Sequence, residues 1–504
     1  MQRDRIATRY AHHRRSLPFF SRYIMTRSSP DLPLLTQLIA AAQRQHAPFY
    51  APGHKQGRGF SAAMATLLQQ AAACDLPELP ELDNLFAPAG VIEAAQDLAA
   101  ATFGAERTWF LVNGSSGGLI AAMLAICGEG DKIILPRTVH RSVISGLILS
   151  GAMPVFLNPP YDGARDLSYG ITPEAVAQAL RDHPDARGVL VVYPTYQGVC
   201  GDLGAIASLT HAHGLPLIVD EAHGPHFGFH PDLPPSALSL GADLTVQSTH
   251  KVLGALTQAS MLHGQGDRIP WTRLNRALAL IQTTSPSYLL LASLDAARAQ
   301  MSDQGTELMG QTLALSDRAH AHLAPIPHLD VLTMPDPALP GFWQGDRTRL
   351  TLFVDRLGWD GFAVDEWLHT TQGVTAELPL ARHLTFILSL GNTVADVDCL
   401  VAAMAQLSPR EPLPPLPTLT PPLPPILLSP RAASFAPTAS VAIATAIGQP
   451  CGELICPYPP GIPVLMPGET VTEAAIATLH QIKTLGGQLT GLNDPTLETL
   501  QVII

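Results

Sequence analysis

Between residues 91 and 251 the chain alternates short apolar runs with amphipathic stretches. TWFLVN leads into GGLIAAMLAIC, DKIILP into SVISGLILSG, PVFL into PEAVAQAL, and GVLVVYP into DLGAIASLTHAHG; PLIVDEA and DLTVQSTHK close the series. Short apolar runs bounded by turn residues read as strands buried on both faces, and the stretches between them carry the 3.6-residue period of helices. The pattern predicts an α/β fold with a mostly parallel central sheet. After Thr283 a long helical stretch leads to a second α/β pattern, VLTMP, RLTLFVD, FAVDEWLHTT and HLTFILSLG, closed by the helix DVDCLVAAMAQL. Upstream, an amphipathic helix over residues 32–47 runs into PFYAPGHKQGRGF, whose glycines and prolines exclude regular structure and mark a loop expected to line something.

These patterns divide the chain. Residues 1–30 form an N-terminal extension, disordered or a gene-model artefact with Met25 as the true start; its first 27 residues hold seven arginines and one acid, a bias also found in transit segments. Residues 31–90 carry the first helix and the PGHK loop, 91–300 a large domain, and 301–408 a small α/β domain. Residues 409–430 hold ten prolines and read as an extended connector. Residues 431–504 form a short C-terminal α+β domain.

Composition narrows the choice of partners. Of 504 residues, 46% are hydrophobic and 14% charged, against a usual charged fraction of about 25%, so a large core is available. The net charge of −12 has the wrong sign for tracking a phosphate backbone, and nucleic acid is not an expected partner. No apolar run reaches the length of a membrane-spanning helix. The six cysteines are scattered, the nearest pair being Cys451 and Cys456, which suits reduced thiols and a cytoplasmic location.

Ligands of parallel sheets bind at the carboxyl ends of the strands. There, PLIVDEAHG places Asp220 at one strand end and VQSTHK places Lys251 at another. A buried lysine is costly unless paired or neutralised, and forming an imine with an aldehyde neutralises it. Pyridoxal phosphate chemistry needs this pair: a lysine for the imine and an acid that keeps the pyridinium nitrogen protonated. NGSSGG, with Gly114, Ser115 and Ser116 between a strand and a helix start, offers free N–H groups and hydroxyls to a phosphate. The same segment reads as G-x-S-x-G, with Asp220 and His223 following in α/β-hydrolase order, although three residues leave little room for the two to meet and Lys251 stays unexplained. His223, His226 and His230 raise zinc, but Gly224, Pro225 and Gly228 deny them a regular helix face, and no metal is expected. His140, in PRTVHRSV, reads either as a satisfied loop histidine or as part of this site.

Together, FYAPGHKQGRG, ELPELDNLFAPAGVIEAAQDLAA, FLVNGSSGGL, PRTVHRSV, VVYPTYQG, IVDEAHGPHF, QSTHK, TSPSYLL and PYPPGIPVLMPGE, in this order, resemble the ornithine, lysine and arginine decarboxylases in their short form, without the receiver-like N-terminal domain. The resemblance implies the aspartate aminotransferase-like fold type I and pyridoxal 5'-phosphate as cofactor. It makes Lys251 the imine lysine, Asp220 the partner of the pyridinium nitrogen, and His140 and Ala222 the residues on the two faces of the ring. Gly114, Ser115, Ser116, Ser248 and His250 would hold the phosphate, and Thr284 would reach a partner subunit's cofactor. His223 would orient the substrate carboxylate or move a proton at Cα. Asp83, Glu377, Glu453 and Glu469 are candidates for the distal basic group of the substrate.

What the resemblance implies is decarboxylation of a basic amino acid, arginine to agmatine or lysine to cadaverine, for polyamine biosynthesis in a cytoplasmic homodimer with shared active sites. Two alternatives remain: an aminotransferase or aldolase-type enzyme on the same cofactor, since the fold does not fix which Cα bond breaks, and a catalytically silent scaffold using the proline-rich connector.

Overall fold

The computed structural model describes residues 31–335, 338–413, 423–458 and 461–504. The predicted extension over 1–30 and residues 414–422 of the proline-rich connector lie outside the described residues.

A seven-stranded sheet forms the large domain. Its strands are β1 (Arg107–Leu111), β2 (Lys132–Pro136), β3 (Met153–Leu157), β4 (Ala186–Val192), β5 (Leu217–Asp220), β6 (Leu244–Gln247) and β7 (Ser260–Gly264). The spatial order is β1-β7-β6-β5-β4-β2-β3. Only β7 runs against the others. β5 and β6 are buried at every position, as expected for strands covered on both faces. Helices α1 (Pro33–Ala42), α2 (Val91–Phe103), α3 (Gly114–Ile126), α4 (Arg141–Ser150), α5 (Pro173–Asp182), α6 (Leu203–Ala212) and α7 (Trp271–Ile281) flank it.

Local chemistry fixes where these helices begin. Thr172 accepts the N–H of Ala175 and Pro173 opens α5, an N-cap followed by a preset φ. α1 is capped from a distance: Asp295 accepts the N–H groups of Leu34 and Leu35 at 3.0 and 3.1 Å. α3 lies close on the sheet because Gly118 has no side chain. A Cβ there would fall 2.6 Å from Leu111 and 2.9 Å from Val246.

Helix α8 (Tyr288–Leu323), 36 residues long, runs without a break through the expected domain boundary at residue 300. Its Leu291, Met301, Met309 and Leu313 pack in the large-domain core, whereas Ala319 and Leu323 join that of the small domain. The segment over residues 31–90 packs on the large domain: Leu34, Leu38, Leu76, Leu82 and Leu85 lie in its core.

The small domain is a four-stranded antiparallel sheet in the order β8-β9-β11-β10, made of β8 (Asp330–Val331), β9 (Arg349–Phe353), β10 (Leu378–Pro379) and β11 (His383–Ile387). It is covered by α9 (Gly361–Trp367) and by α10 (Val394–Met404), which starts with a Thr393–Asp396 capping box. The C-terminal region pairs β12 (Thr438–Ala442) with β15 (Thr499–Ile503) and β13 (Cys456–Tyr458) with β14 (Gln488–Thr490), with α11 (Glu473–Thr484) between. It has its own core of Cys451, Ile455, Leu465, Leu479, Leu500 and Val502. No helix among the described residues is long and apolar enough to cross a membrane.

Candidate active site

The carboxyl ends of β4, β5 and β6 open into a cavity of about 500 Å³. Gly114, Ser115, Ser116, His140, Asp220, Ala222, His223, Ser248, His250, Lys251 and Glu377 all line it, with Thr138, Val192, Pro194 and Tyr196. The parallel register brings the two charged residues together: Asp220 pairs with Val246 of β6, two residues before Ser248, and Lys251 follows in the short helical turn Thr249–Val252.

Burial sets the electrostatics. Desolvation lowers the pKa of Lys251, and the nearby carboxylates of Asp220 and Glu377 only partly oppose it. Desolvation likewise raises Asp220 to about 6 against the pull of the Lys251 charge and of the Ala222 N–H, which donates to Oδ1 at 3.2 Å. Its neighbour Glu221 faces the other way, accepting from Ala237 N, Thr245 Oγ1 and Gln247 Nε2 at 2.7 to 2.9 Å. Lys251 Nζ lies 2.9 Å from His223 Nε2 and 5.5 Å from the centre of the Tyr196 ring.

His140 caps α4. Its Nδ1 accepts the N–H of Ser142 at 3.2 Å, which fixes the ring at the cavity edge. Burial first, then the Lys251 and Arg141 charges, lowers its pKa to about 4, so the ring is neutral at ordinary pH. At the start of α3 no side chain caps the first-turn N–H groups. The hydroxyls of Ser115 and Ser248 meet there at 2.8 Å.

This arrangement fits an aldehyde-bearing aromatic phosphate ester with a basic ring nitrogen. The uncapped helix start and paired hydroxyls suit the phosphate, the buried acid suits a protonated ring nitrogen, and the desolvated amine suits an aldehyde carbon. A hydrolase triad is not assembled, because the His223 ring bonds Lys251 while Asp220 accepts from Ala222 N. Among the described residues no group of three or more His, Cys, Asp or Glu is placed to hold a metal ion. His226 turns instead to Asp346, at 3.2 Å.

Other sequence candidates lie elsewhere. Asp83 accepts from the N–H groups of Asn84, Ala89, Gly90 and Ile92 and so caps α2. Glu453 accepts from Asn493 N and Gln501 N within the C-terminal core. Glu469 pairs with Arg137 at 2.9 Å, joining the C-terminal region to the large domain. Thr284 is exposed on the loop after α7, next to Thr283, whose N–H approaches Asn113 Oδ1 at 3.4 Å. The PGHK loop lines no part of this cavity. It closes on itself through His54, which stacks on Phe60 and bonds Asp75 at 3.0 Å. Not foreseen in the sequence is Arg349 at the start of β9, which donates to the carbonyl of His223 at 2.8 Å.

The sheet, its flanking helices and the desolvated lysine beside a strand-end acid have the arrangement of the fold type I enzymes, in which the fold alone does not fix the reaction. The chain belongs to the Orn/Lys/Arg decarboxylase family: residues 32–338 match its major domain and residues 430–496 its C-terminal domain. It is 38% identical over 482 residues to the arginine decarboxylase of Bacillus subtilis, covering 94% of this chain and 98% of that protein. It is also 38% identical over 477 residues to the arginine decarboxylase of Halalkalibacterium halodurans, covering 94% and 97%. The crystal structure of the Francisella novicida lysine decarboxylase superposes with a TM-score of 0.82 at 22% identity, over 94% of this chain and 81% of that one.

Proposed function

We propose that the protein uses pyridoxal phosphate to decarboxylate a basic amino acid, arginine first and lysine second, giving agmatine or cadaverine for polyamine synthesis. The observation that carries this reading is the shared cavity of Lys251, Asp220 and Glu377. Two of these suit the cofactor and the third suits a cationic substrate. Similarity to arginine decarboxylases over nearly the whole chain supports naming arginine first.

When bound, the cofactor supplies an electron sink for the pair released as the Cα–carboxylate bond breaks. The chain's own groups set the conditions. Lys251 provides the amine that holds the aldehyde. Asp220 keeps a proton on the ring nitrogen. The neutral His140 ring and Ala222 would lie on the two ring faces, and Ser115, Ser116, Ser248, His250 and the first turn of α3 would hold the phosphate. His223, against Lys251, would orient the substrate carboxylate or move a proton at Cα. Glu377 attracts the distal guanidinium or ammonium.

A homodimer with shared active sites, in the cytoplasm, completes the proposal. The exposed Phe49 and Leu67 of the N-terminal segment, 96% and 74% accessible, and the exposed Thr284 loop support a second copy packing there.

The test is carbon dioxide release from arginine, lysine and ornithine by the full chain with added pyridoxal phosphate, alongside Lys251→Ala. Release fastest with arginine and absent in the variant is expected. A keto acid product without carbon dioxide would mark an aminotransferase instead.

A further inference from the structure

His223 meets Lys251 through Nε2, and what lies on the other side of its ring decides how that contact works. Arg349 is there, 2% exposed, its Nη2 donating to the His223 carbonyl at 2.8 Å and lying 3.4 Å from His223 Nδ1. A guanidinium carries only donors. Nδ1 therefore turns its lone pair toward Arg349, since a hydrogen there would set two donors against each other. The hydrogen of the neutral ring then sits on Nε2, the atom 2.9 Å from Lys251 Nζ. An ammonium has no lone pair to receive it, whereas a neutral amine has one.

Arg349 is itself held. Asp346 Oδ2 lies 3.9 Å from its Nη1, and Asp346 Oδ1 receives the N–H and the hydroxyl of Thr348 at 2.9 and 2.8 Å. The stem of Arg349 packs on the bare backbone of Gly198, where a Cβ would fall 2.8 Å from Arg349 Cβ. The titratable and charged groups around His223 are Lys251, Arg349, His140 and His226, with the Tyr196 ring 4.5 Å away. Burial and the two cations all disfavour a charged imidazole.

We infer that Arg349, seated on Asp346, is a positioning residue that fixes His223 as the Nε2–H tautomer, so that His223 holds Lys251 as a neutral amine. The inference rests on the proposed role of Lys251 only for its kinetic consequence: Lys251 must be neutral to attack the cofactor's aldehyde on loading.

The experiment uses the full-length chain with ¹⁵N-labelled histidine, cofactor-free and loaded, with His223→Gln to assign the resonances. One- and two-bond proton couplings report which nitrogen carries hydrogen. The wild type is expected to show it on Nε2. Arg349→Met should move it toward Nδ1 and slow the reaction of Lys251 with pyridoxal phosphate at neutral pH by about 10-fold. At high pH, where the amine is neutral regardless, the rate should match the wild type. Arg349→Lys, which keeps a donor, should recover part of the loss, and Asp346→Asn should give an intermediate shift if Arg349→Met does not fold. Hydrogen on Nδ1 in the wild type overturns the inference whatever the variants do, and so does an unchanged tautomer in Arg349→Met. Because the tautomer is read without turnover, failure to decarboxylate any basic amino acid would count against the proposed function and leave this result standing.

Discussion

The hydroxyls of Ser115 and Ser248 lie 2.8 Å apart although 133 positions separate them in the chain. One opens α3 after β1 and the other follows β6, so the sheet brings both to the same uncapped helix start. In the proposed site each hydroxyl would form about one hydrogen bond to a charged phosphate, worth about 1.5 to 3 kcal/mol. Ser115→Ala and Ser248→Ala should each weaken pyridoxal phosphate binding by about 10- to 100-fold. Pyridoxal, which lacks the phosphate, should bind all three proteins alike. Spectroscopic titration of the cofactor-free protein checks this, and an equal loss for both ligands would count against a phosphate site.

Asp220 gives a pH signature. Burial, outweighing Lys251, raises its pKa to about 6, so the folded chain holds this proton more tightly than the unfolded chain does. The associated stability is fully present below the unfolded value near pH 4 and is lost as pH rises through 6. A shift of about 2 units corresponds to about 3 kcal/mol. Cofactor-free Asp220→Asn should therefore resist urea better than the wild type at pH 8 by that order, with the difference vanishing near pH 4. Adding pyridoxal phosphate should reverse the ranking, because the ionised carboxylate then has a cation to face.

Glu377 is the one of the four acidic candidates that lines the cavity. Removing its charge deletes no group proposed to hold the cofactor, although it takes away one of the two carboxylates that oppose the desolvation of Lys251. Glu377→Gln should raise KM for arginine by about 10- to 100-fold, the worth of one charge-assisted contact, with kcat changed much less. Steady-state kinetics read the split, and an unchanged KM would remove Glu377 from substrate recognition.

Glu469 and Arg137 form a buried pair across the junction with the C-terminal region, and Glu469 also accepts from Met466 N at 2.9 Å. Breaking such a pair from one side costs about 3 to 5 kcal/mol, because the other charge stays buried. Glu469→Gln should lower the urea midpoint accordingly and expose the residues after 423 to proteolysis, with little change in KM.

The large-domain site was legible because its residues follow strands whose apolar runs announce themselves. Asp220, Ser248 and Lys251 lie next to segments buried at every position, and Ser115 and Ser116 stand in a glycine turn between a strand and a helix. β7 was not legible: SMLHG is short and carries a histidine and a glycine, and its burial comes from neighbours on both sides rather than from its own composition. Arg349 and Asp346 escaped for a related reason. In GDRTRLTLFVD they look like exposed charges, and only the packing of β9 against the large domain makes them a buried pair beneath His223. Among the acids, Asp83 and Glu377 are alike in sequence. Backbone geometry separates them, since the left-handed φ of +69° at Asp83 accompanies a carboxylate turned back onto the start of α2.

Helix α8 binds the two halves of the enzyme differently from a flexible linker. At 36 residues it is a rod of about 54 Å, seated in one core along most of its length and in the other at its last turns. Arg349 on β9 and Glu377 beside β10 belong to the sheet at that far end, both joined to β11. They are teeth on one gear. The shared strand fixes the spacing between the carboxylate that lines the cavity and the guanidinium that bonds His223, the histidine touching Lys251.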